Sequence, residues 1–460
     1  MYNMSKELYY EQKHIADIIC EADKAESAEY TKGYMAFLDN GKTERECVSY
    51  AIELAKAQGF VEYAPGMDVV PGAKFYHNNR DKALILTIIG TEKLDRGCNI
   101  AGAHIDSPRI DLKQNPLYED SEMALFKTHY YGGIKKYQWV TLPLALHGVV
   151  IKKDGTKVVI NIGEDESEPV FIVTDLLPHL GADQNKKSLG EAFTGENLNI
   201  LVGSTPVSGE GSSRMKDYVL QMLNEKYGIV EEDFISAEIE AVPAGKARFT
   251  GFDRSLITAY GHDDRCRSYA ELKALFDIDT PAKTAVCILS DKEEIGSDGV
   301  SGMQSADFEY FMEELCDAQG VKLRHCFANS FCLSADVCNA FDPNFPEVSE
   351  KRNNAKINYG IALMKYTGAR GKSGSSDASP EIIAMLRREF GNADVVWQMA
   401  ALGKVDQGGG GTIAKFMANR NIDTIDAGIP VLSMHAPYET VSIYDCYMTY
   451  KGVKAVYGIK

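Results

Sequence analysis

The sequence predicts an α/β fold: a three-layer main domain with a mainly parallel sheet, plus an inserted, mainly β domain. From about residue 249 onward, short apolar segments alternate with amphipathic ones, which is typical of parallel strands connected by helices. Between about residues 114 and 248, β-branched segments separated by turn residues replace that pattern. The predicted division is therefore 1–113 and 249–460 for the main domain and 114–248 for the insert.

Helices are expected in the first sixty residues. Thr43 and Glu46 have the spacing of a capping box ahead of the apolar-periodic segment CVSYAIELA. The short apolar segments Lys82–Gly90 and Cys98–Ala103 then favour strands that are covered on both faces. The main sheet should therefore begin directly after the helical region.

The middle of the chain predicts short strands at Gly148–Lys153, Lys157–Ile162 and Pro169–Val173. A loop rich in Gly and Ser is expected at Gly203–Ser213, followed by a helix at Met215–Glu225. Because this composition differs from that of the flanking regions, we expect a separate module here.

Beyond residue 249, strands and helices are expected to alternate again. The predicted strands are Thr284–Ser290, Val321–Leu333, Ala393–Gln398 and Thr424–Ile429, and the predicted helices are Ser268–Phe276, Phe308–Ala318, Pro380–Phe390 and Thr412–Arg420. In an open α/β sheet, ligands bind outside the carboxyl ends of the strands. Polar residues that directly follow predicted strands are therefore the candidates for function.

Composition excludes several classes of partner. The 460 residues include 49 Lys and Arg and 66 Asp and Glu, a net charge of −17. Nucleic acid or an anionic membrane would require a basic surface, so neither is expected. The N-terminal residues do not resemble a secretory signal, and no apolar stretch is long enough to span a bilayer. The ten cysteines include no CxxC pair, which indicates free thiols and a cytoplasmic location.

Two of the candidate segments lie near helix or turn signals. His104 ends a predicted strand in GAHIDSPRIDLK, and Asp106 could orient its ring. A surface histidine beside an aspartate turn is the alternative interpretation. In GHDDRCRS, Asp263 and Asp264 precede a helix, where a simple N-cap is the alternative.

The remaining candidates are Glu293 and Glu294 in SDKEEIGS, Asp336 in SADV and His435 in SMHAPYETVS. Adjacent glutamates repel each other unless a cation or proton intervenes, so one could bind a metal while the other acts as a base. Histidine and carboxylate ligands suit zinc, with cobalt or manganese as alternatives. A shared carboxylate can bridge two metal ions, as in two-metal aminopeptidases.

Several longer segments together resemble the aspartyl aminopeptidase and yeast vacuolar aminopeptidase I family of di-metal aminopeptidases. They are HIDSP (104–108), YYGGIKKYQW (130–139), LLPHL (176–180), DKEEIGSDGVSGMQS (291–305), SADVCNAFDPNF (334–345) and LSMHAPYETVS (432–442). The resemblance extends over nearly the whole chain. It implies a catalytic α/β domain, an inserted β-rich oligomerisation domain and a homo-oligomer, a tetrahedral dodecamer with active sites facing an internal chamber.

The resemblance also implies a ligand set for two divalent metal ions per subunit, with zinc expected. His104 and Asp336 would hold one ion, and Glu294 and His435 the other. Asp264, aligned as the second aspartate of GHDD, would bridge the two ions.

Four further roles follow from the same resemblance. Glu293 would be the general base, and Asp106 would orient a metal ligand. Lys365, in MKYTG, would lie beside the bound substrate. His179, in LLPHL, would reach the active site of a neighbouring subunit.

The expected substrates are peptides with a free N-terminus. Eukaryotic family members favour N-terminal Asp or Glu, and Arg370 and Lys372 could pair with such a side chain. These cations could equally belong to a solvated loop, so a broader specificity for neutral or basic residues is an alternative. The same residues are also compatible with a hydrolase of N-acyl amino acids, or with a catalytically inactive shell or cargo protein.

Overall fold

The computed structural model describes residues 8–334 and 336–460. The helices are α1 (Glu21–Asn40), α2 (Glu44–Ala57), α3 (Leu189–Ala192), α4 (Arg214–Tyr227), α5 (His262–Phe276), α6 (Asp307–Ala318), α7 (Leu323–Ala328), α8 (Pro380–Asn392), α9 (Ala414–Asn419) and α10 (Ile443–Tyr457). The strands are β1 (Val61–Glu62), β2 (Lys74–Asn79), β3 (Ala83–Ile88), β4 (Cys98–His104), β5 (Arg109–Asp120), β6 (Met123–Tyr131), β7 (Leu144–Ile151), β8 (Lys157–Ile162), β9 (Ile172–Val173), β10 (Ile200–Gly203), β11 (Ala237–Pro243), β12 (Arg248–Thr250), β13 (Leu256–Ala259), β14 (Thr284–Ser290), β15 (Phe331–Ser334), β16 (Cys338–Asn339), β17 (Ile361–Met364), β18 (Trp397–Ala400), β19 (Asp423–Gly428), β20 (Pro430–Leu432) and β21 (Glu439–Ser442).

The largest sheet has nine strands in the order β1-β2-β3-β14-β4-β15-β19-β17-β18. Its central strands β14, β4, β15 and β19 are parallel to one another. Strand β3 pairs antiparallel with β2 and β14, and β17 pairs antiparallel with β19. Because the central strands are parallel, their last residues, including His104, Ser290 and Ser334, lie at one edge of the sheet.

Helices cover both faces of the nine-stranded sheet. Leu84 and Leu86 of β3 belong to a buried cluster that includes side chains of α1, α2, α5, α8 and α10. Ile85, the residue between them, belongs to a different cluster with α6, α7 and α9. Successive strand residues face opposite sides, so the apolar strands are buried from both directions.

The second sheet is antiparallel, with seven strands in the order β8-β7-β11-β5-β6-β10-β9. All of these strands lie between Arg109 and Pro243. The sheet has its own buried cluster, which includes Trp139 and Phe234, and Val219 and Leu223 of α4 pack against it. This core is therefore distinct from the two that cover the nine-stranded sheet.

The third sheet has five strands in the order β12-β13-β21-β20-β16. Strand β13 leads into α5 and pairs antiparallel with β21, so that Ala259 lies opposite Glu439. His435 lies in the connection between β20 and β21. This pairing carries His435 towards the start of α5, although the two are far apart in sequence.

Most predicted elements are confirmed, including the capping box of Thr43 and Glu46 at the start of α2. The strand predicted at Val321–Leu333 is wrong for most of its length, because residues 323–328 form α7 and only residues 331–334 extend as β15. The buried Cys326 and Phe327 lie three and four residues after Leu323, which is helical spacing.

The strand predicted at Ala393–Gln398 begins too early. Ala393 caps the end of α8, where its N–H donates to the Glu389 carbonyl, and β18 starts only at Trp397. Among residues 8–334 and 336–460, no helix combines the length and apolar character needed to cross a membrane.

Candidate metal centre

His104 is the last residue of β4, and its side chain is buried. Its Nδ1 lies 3.0 Å from the backbone carbonyl oxygen of Asp106 and 3.3 Å from the Asp106 Oδ1. Because a carbonyl oxygen only accepts hydrogen bonds, the Nδ1–H is the donor, and Nε2 points the other way. The structure thus places Asp106 where a residue that orients the His104 ring would lie.

Asp263 lies between two histidines. One of its oxygens, Oδ1, is 3.1 Å from His104 Nε2, and the other, Oδ2, is 3.2 Å from His435 Nε2. His435 in turn donates from Nδ1 to the Gly133 carbonyl oxygen at 2.9 Å, so its Nε2 also faces the carboxylate. The two imidazole rings therefore present the same nitrogen to a single shared carboxylate.

Asp264, which the family resemblance suggested for this bridging position, lies elsewhere. Gly261 has φ 77° and Asp263 has ψ 105°, so the backbone is not yet helical where Asp263 projects towards the histidines. The peptide between the two aspartates is cis. Asp264 is fully buried on α5, and neither of its carboxylate oxygens has a hydrogen-bond partner among the described residues. The aspartate between the histidines is thus Asp263, one residue earlier than expected.

Three further carboxylates approach the same histidines. Glu293 Oε2 is 3.9 Å from His104 Nε2, and Glu294 Oε2 is 3.5 Å from His435 Nε2. Ligand atoms of His104, Glu293 and Asp336 lie within 4.8 Å of one another, as do those of His104, Asp263 and Glu294. We call the six residues that converge here the histidine–carboxylate cluster: His104, Asp263, Glu293, Glu294, Asp336 and His435.

Burial strongly affects the charges in this cluster. It raises the pKa of Glu293 to about 7 and raises the pKa values of Glu294 and Asp336 well above the usual carboxyl range. Burial also disfavours the charged form of Asp263, but the two neighbouring histidines outweigh it and hold its pKa low. For His435, burial lowers the pKa, yet Asp263 and Glu294 outweigh this effect and raise it to about 10. Bound cations would relieve this crowding of buried acids.

The donor set fits divalent metal ions. Because Nδ1 of each histidine donates to a carbonyl, Nε2 of each ring faces carboxylate oxygens, and a proton or a cation must lie between them. His104 Nε2, Asp263 Oδ1 and Glu294 Oε1 are buried without a hydrogen-bond partner in the described part of the chain. Buried polar atoms are rarely left in this state. Nitrogen and carboxylate ligands are those that zinc prefers.

Two groups outside the cluster hold its members in place, and the sequence analysis missed one of them. Asp106 accepts from the backbone N–H groups of Glu293 and Glu294, at 3.1 Å each. Glu439 is buried and accepts from the backbone N–H of Asp263 at 2.9 Å and of His435 at 2.7 Å. The only sequence signal for Glu439 was its position four residues after His435.

Lys365 and His179 do not join the cluster. Lys365 follows β17, and its Nζ lies 3.6 Å from Asp377 Oδ1, while Lys372 Nζ lies 3.0 Å from Asp377 Oδ2. His179 lies in an exposed 3-10 helix, Pro178–Leu180. Within residues 8–334 and 336–460, neither side chain forms an ion pair or hydrogen bond with a member of the cluster.

Known proteins share both this sequence and this fold. The family described as aminopeptidase I zinc metalloprotease (M18) matches residues 37–457. The probable M18 family aminopeptidase 1 of Clostridium acetobutylicum is 50% identical over 455 residues, covering 97% of this chain and 96% of that protein. The crystal structure of an M18 family aminopeptidase from Thermotoga maritima superposes with a TM-score of 0.93 at 44% identity, covering 98% of this chain and 99% of that one. The mApe1 dodecamer of Saccharomyces cerevisiae shares the fold, with a TM-score of 0.75 at 22% identity over 92% of this chain and 95% of that one. This chain belongs to the M18 family of zinc metalloprotease aminopeptidases.

Proposed function

We propose that this protein removes the N-terminal residue from peptides with two divalent metal ions, for which zinc is the favoured metal and cobalt or manganese are alternatives. The observation that carries the proposal is the Asp263 carboxylate, which lies 3.1 Å from His104 Nε2 and 3.2 Å from His435 Nε2. A carboxylate in this position can bridge two ions.

Five side chains would hold the two ions. His104 and Asp336 would bind one, Glu294 and His435 the other, and Asp263 would bind both. When bound, the ions would supply the Lewis acidity that activates water and polarises the scissile carbonyl group.

Glu293 is the proposed general base. In the metal-free protein, burial raises the pKa of Glu293 to about 7, and its Oε2 lies 3.9 Å from His104 Nε2, next to where the ions would bind. Glu293 would accept a proton from the attacking water and return it to the amine of the leaving peptide. The Asp106 carboxylate would hold Glu293 and Glu294 in place by accepting hydrogen bonds from their backbone N–H groups.

The N-terminal residue that the enzyme prefers in its substrates would depend on nearby cations, two of which, Lys365 and Lys372, share Asp377 as an ion-pair partner. We propose that Lys365 lies beside the substrate and that the nearby cations Arg370 and Lys372 favour an acidic side chain. Asp377 contacts both lysines, at 3.6 Å and 3.0 Å, so a substrate carboxylate would have to compete with it. This competition would make the acidic preference modest, and a broader specificity is the alternative outcome.

We also propose a domain division and an assembly. Residues 1–113 and 249–460 would form the three-layer catalytic domain, and residues 114–248 an inserted domain for oligomerisation; the separate core around Trp139 supports this. The exposed Leu176, Leu177 and Leu180 flank His179, which would reach a neighbouring subunit in a dodecamer. The free thiol state of all ten cysteines supports a cytoplasmic location.

The function is tested with metal-depleted protein that is reloaded with zinc, cobalt or manganese. The zinc-loaded enzyme is expected to cleave aminoacyl chromogenic substrates with a free amino group and to leave the acetylated forms intact. Activity without metal, or faster cleavage of the acetylated forms, would contradict the proposal. Metal analysis together with this assay also separates an enzyme from an inactive shell protein, and light scattering tests the dodecamer.

A further inference from the structure

Tyr131 is the last residue of β6, in the second sheet, yet its hydroxyl group reaches Asp106 beside the histidine–carboxylate cluster. It donates a hydrogen bond of 2.8 Å to Asp106 Oδ2. The ring is largely buried, and burial raises the pKa of the Tyr131 hydroxyl, which therefore remains a donor. No other residue of β6 contacts Asp106 by a hydrogen bond in the described part of the chain.

The acceptor of this bond is the carboxylate that holds the catalytic segment. Asp106 Oδ1 accepts from the Glu293 N–H, and Oδ2, which receives the Tyr131 hydroxyl, also accepts from the Glu294 N–H. Asp106 Oδ1 also lies 3.3 Å from His104 Nδ1. A rotation of the Asp106 carboxylate would therefore shift His104, Glu293 and Glu294 together.

Tyr131 is itself held firmly. It lies directly opposite Arg109 across the β5–β6 pair, and the Arg109 guanidinium carbon lies 3.9 Å from the centroid of its ring. Arg109 is buried and is fixed by Asp111 at 2.8 Å and Glu240 at 3.1 Å. A stacked arginine with two carboxylate partners has little freedom to move.

The residues after Tyr131 contact the other half of the centre. The Gly133 carbonyl accepts from His435 Nδ1 at 2.9 Å. A Cβ atom at Gly133 would lie 3.2 Å from that nitrogen, and one at Gly132, which has φ 75°, would lie 3.3 Å from the Glu294 Cβ. Both contacts are tighter than nine in ten real Cβ contacts, so the segment lies close against both of these cluster residues.

We propose that Tyr131 is a positioning residue for the aminopeptidase reaction: its hydroxyl fixes the Asp106 carboxylate and, through it, the Glu293–Glu294 segment. This inference rests on the proposed function. It means that the second sheet helps to position the catalytic residues, in addition to any part it has in assembly.

The test compares Tyr131→Phe with Tyr260→Phe in the full-length, zinc-loaded protein. Tyr260 is a matched control because it is also buried and its hydroxyl donates to the same segment, at the Pro108 carbonyl, 3.1 Å away. Tyr131→Phe should lower kcat on the order of tenfold, the usual lower bound for loss of a group that orients a metal ligand, with KM within twofold. Tyr260→Phe should leave kcat within twofold of wild type.

A second measurement does not depend on activity. Hydrogen–deuterium exchange of the metal-free protein reports the amides of Glu293 and Glu294, and Tyr131→Phe should speed their exchange several-fold more than Tyr260→Phe does. Unchanged exchange, or an equal loss of kcat in both variants, would overturn the inference. If the wild-type enzyme cleaves no substrate, the proposed function fails, while the exchange measurement still decides the role of Tyr131.

Discussion

Replacing Asp263 and Asp264 one at a time by asparagine tests which of these two adjacent residues binds the metal ions. Asp263 is within 3.2 Å of both histidine nitrogens, so Asp263→Asn removes a negative charge that both proposed metal positions would share. Loss of a group that only orients a metal ligand reduces metal affinity about 10- to 100-fold. Loss of a ligand common to two ions should exceed this, so we expect zinc affinity to fall at least about 100-fold, roughly 2.7 kcal/mol.

Asp264→Asn should behave differently. The Asp264 carboxylate is not part of the group of ligand atoms formed by His104, Asp263 and Glu294, burial raises its pKa above the usual range, and asparagine matches its shape. We expect its zinc affinity and kcat/KM to remain within about tenfold of wild type. Competition titration against a chelator measures the affinity, and metal analysis gives the stoichiometry. If Asp263→Asn retained two tightly bound ions, or if Asp264→Asn lost as much affinity, the assignment of the bridging ligand would be wrong.

Three other changes have defined outcomes. Glu293→Gln should retain both metal ions but lower kcat by about two to four orders of magnitude, the range for general acid–base catalysis; a rate near wild type would reject the base. Asp377→Asn removes the acid that pairs with Lys365 and Lys372, and exposed ion pairs of this kind are worth about 0.2–1 kcal/mol. The ratio of kcat/KM for N-terminal Glu substrates to that for Leu substrates should therefore rise up to about fivefold. If this ratio is unchanged, the lysines do not determine specificity. Buried His147 contacts Glu46 at 2.8 Å and Glu164 at 3.1 Å; burial lowers its pKa, but these acids outweigh it and raise the pKa above the usual value. His147→Gln should therefore lower the free energy of unfolding by roughly 1.5–3 kcal/mol below about pH 6.5, where the histidine is protonated in the unfolded chain as well. This loss should shrink as the pH rises through the raised pKa of His147. Thermal unfolding of both proteins at several pH values measures the loss, and a loss that grows with pH would contradict the reasoning.

The sequence predicted five of the six members of the cluster, all except Asp263, but not their arrangement. His104 ends a strand, and Glu293 and Asp336 follow strands, whose carboxyl ends must meet in a parallel sheet, so their convergence follows from the alternation of strands and helices. The choice between Asp263 and Asp264 could not be made in this way, because adjacent identical residues differ only in where the local backbone points them. That direction depends on the non-helical turn after Gly261.

Residues that bind only backbone groups are even harder to predict from the sequence. Glu439 holds the N–H groups of Asp263 and His435, and these contacts depend on the pairing of β13 with β21. No periodicity or ligand spacing marks a carboxylate that accepts only backbone hydrogen bonds. Such a residue is visible only once the strand register is known.

The histidine–carboxylate cluster lies where the three sheets meet, and each sheet fixes a different part of it. The nine-stranded sheet carries His104 at the end of β4, and the five-stranded sheet carries His435 between β20 and β21. The seven-stranded sheet supplies the Tyr131 hydroxyl to Asp106 and the Gly133 carbonyl to His435. Two histidines on separate sheets can share one carboxylate only if the sheets keep their relative positions. The segment after β6 lies against both Glu294 and His435. A change that loosens the seven-stranded sheet should therefore reduce turnover before it unfolds the nine-stranded sheet.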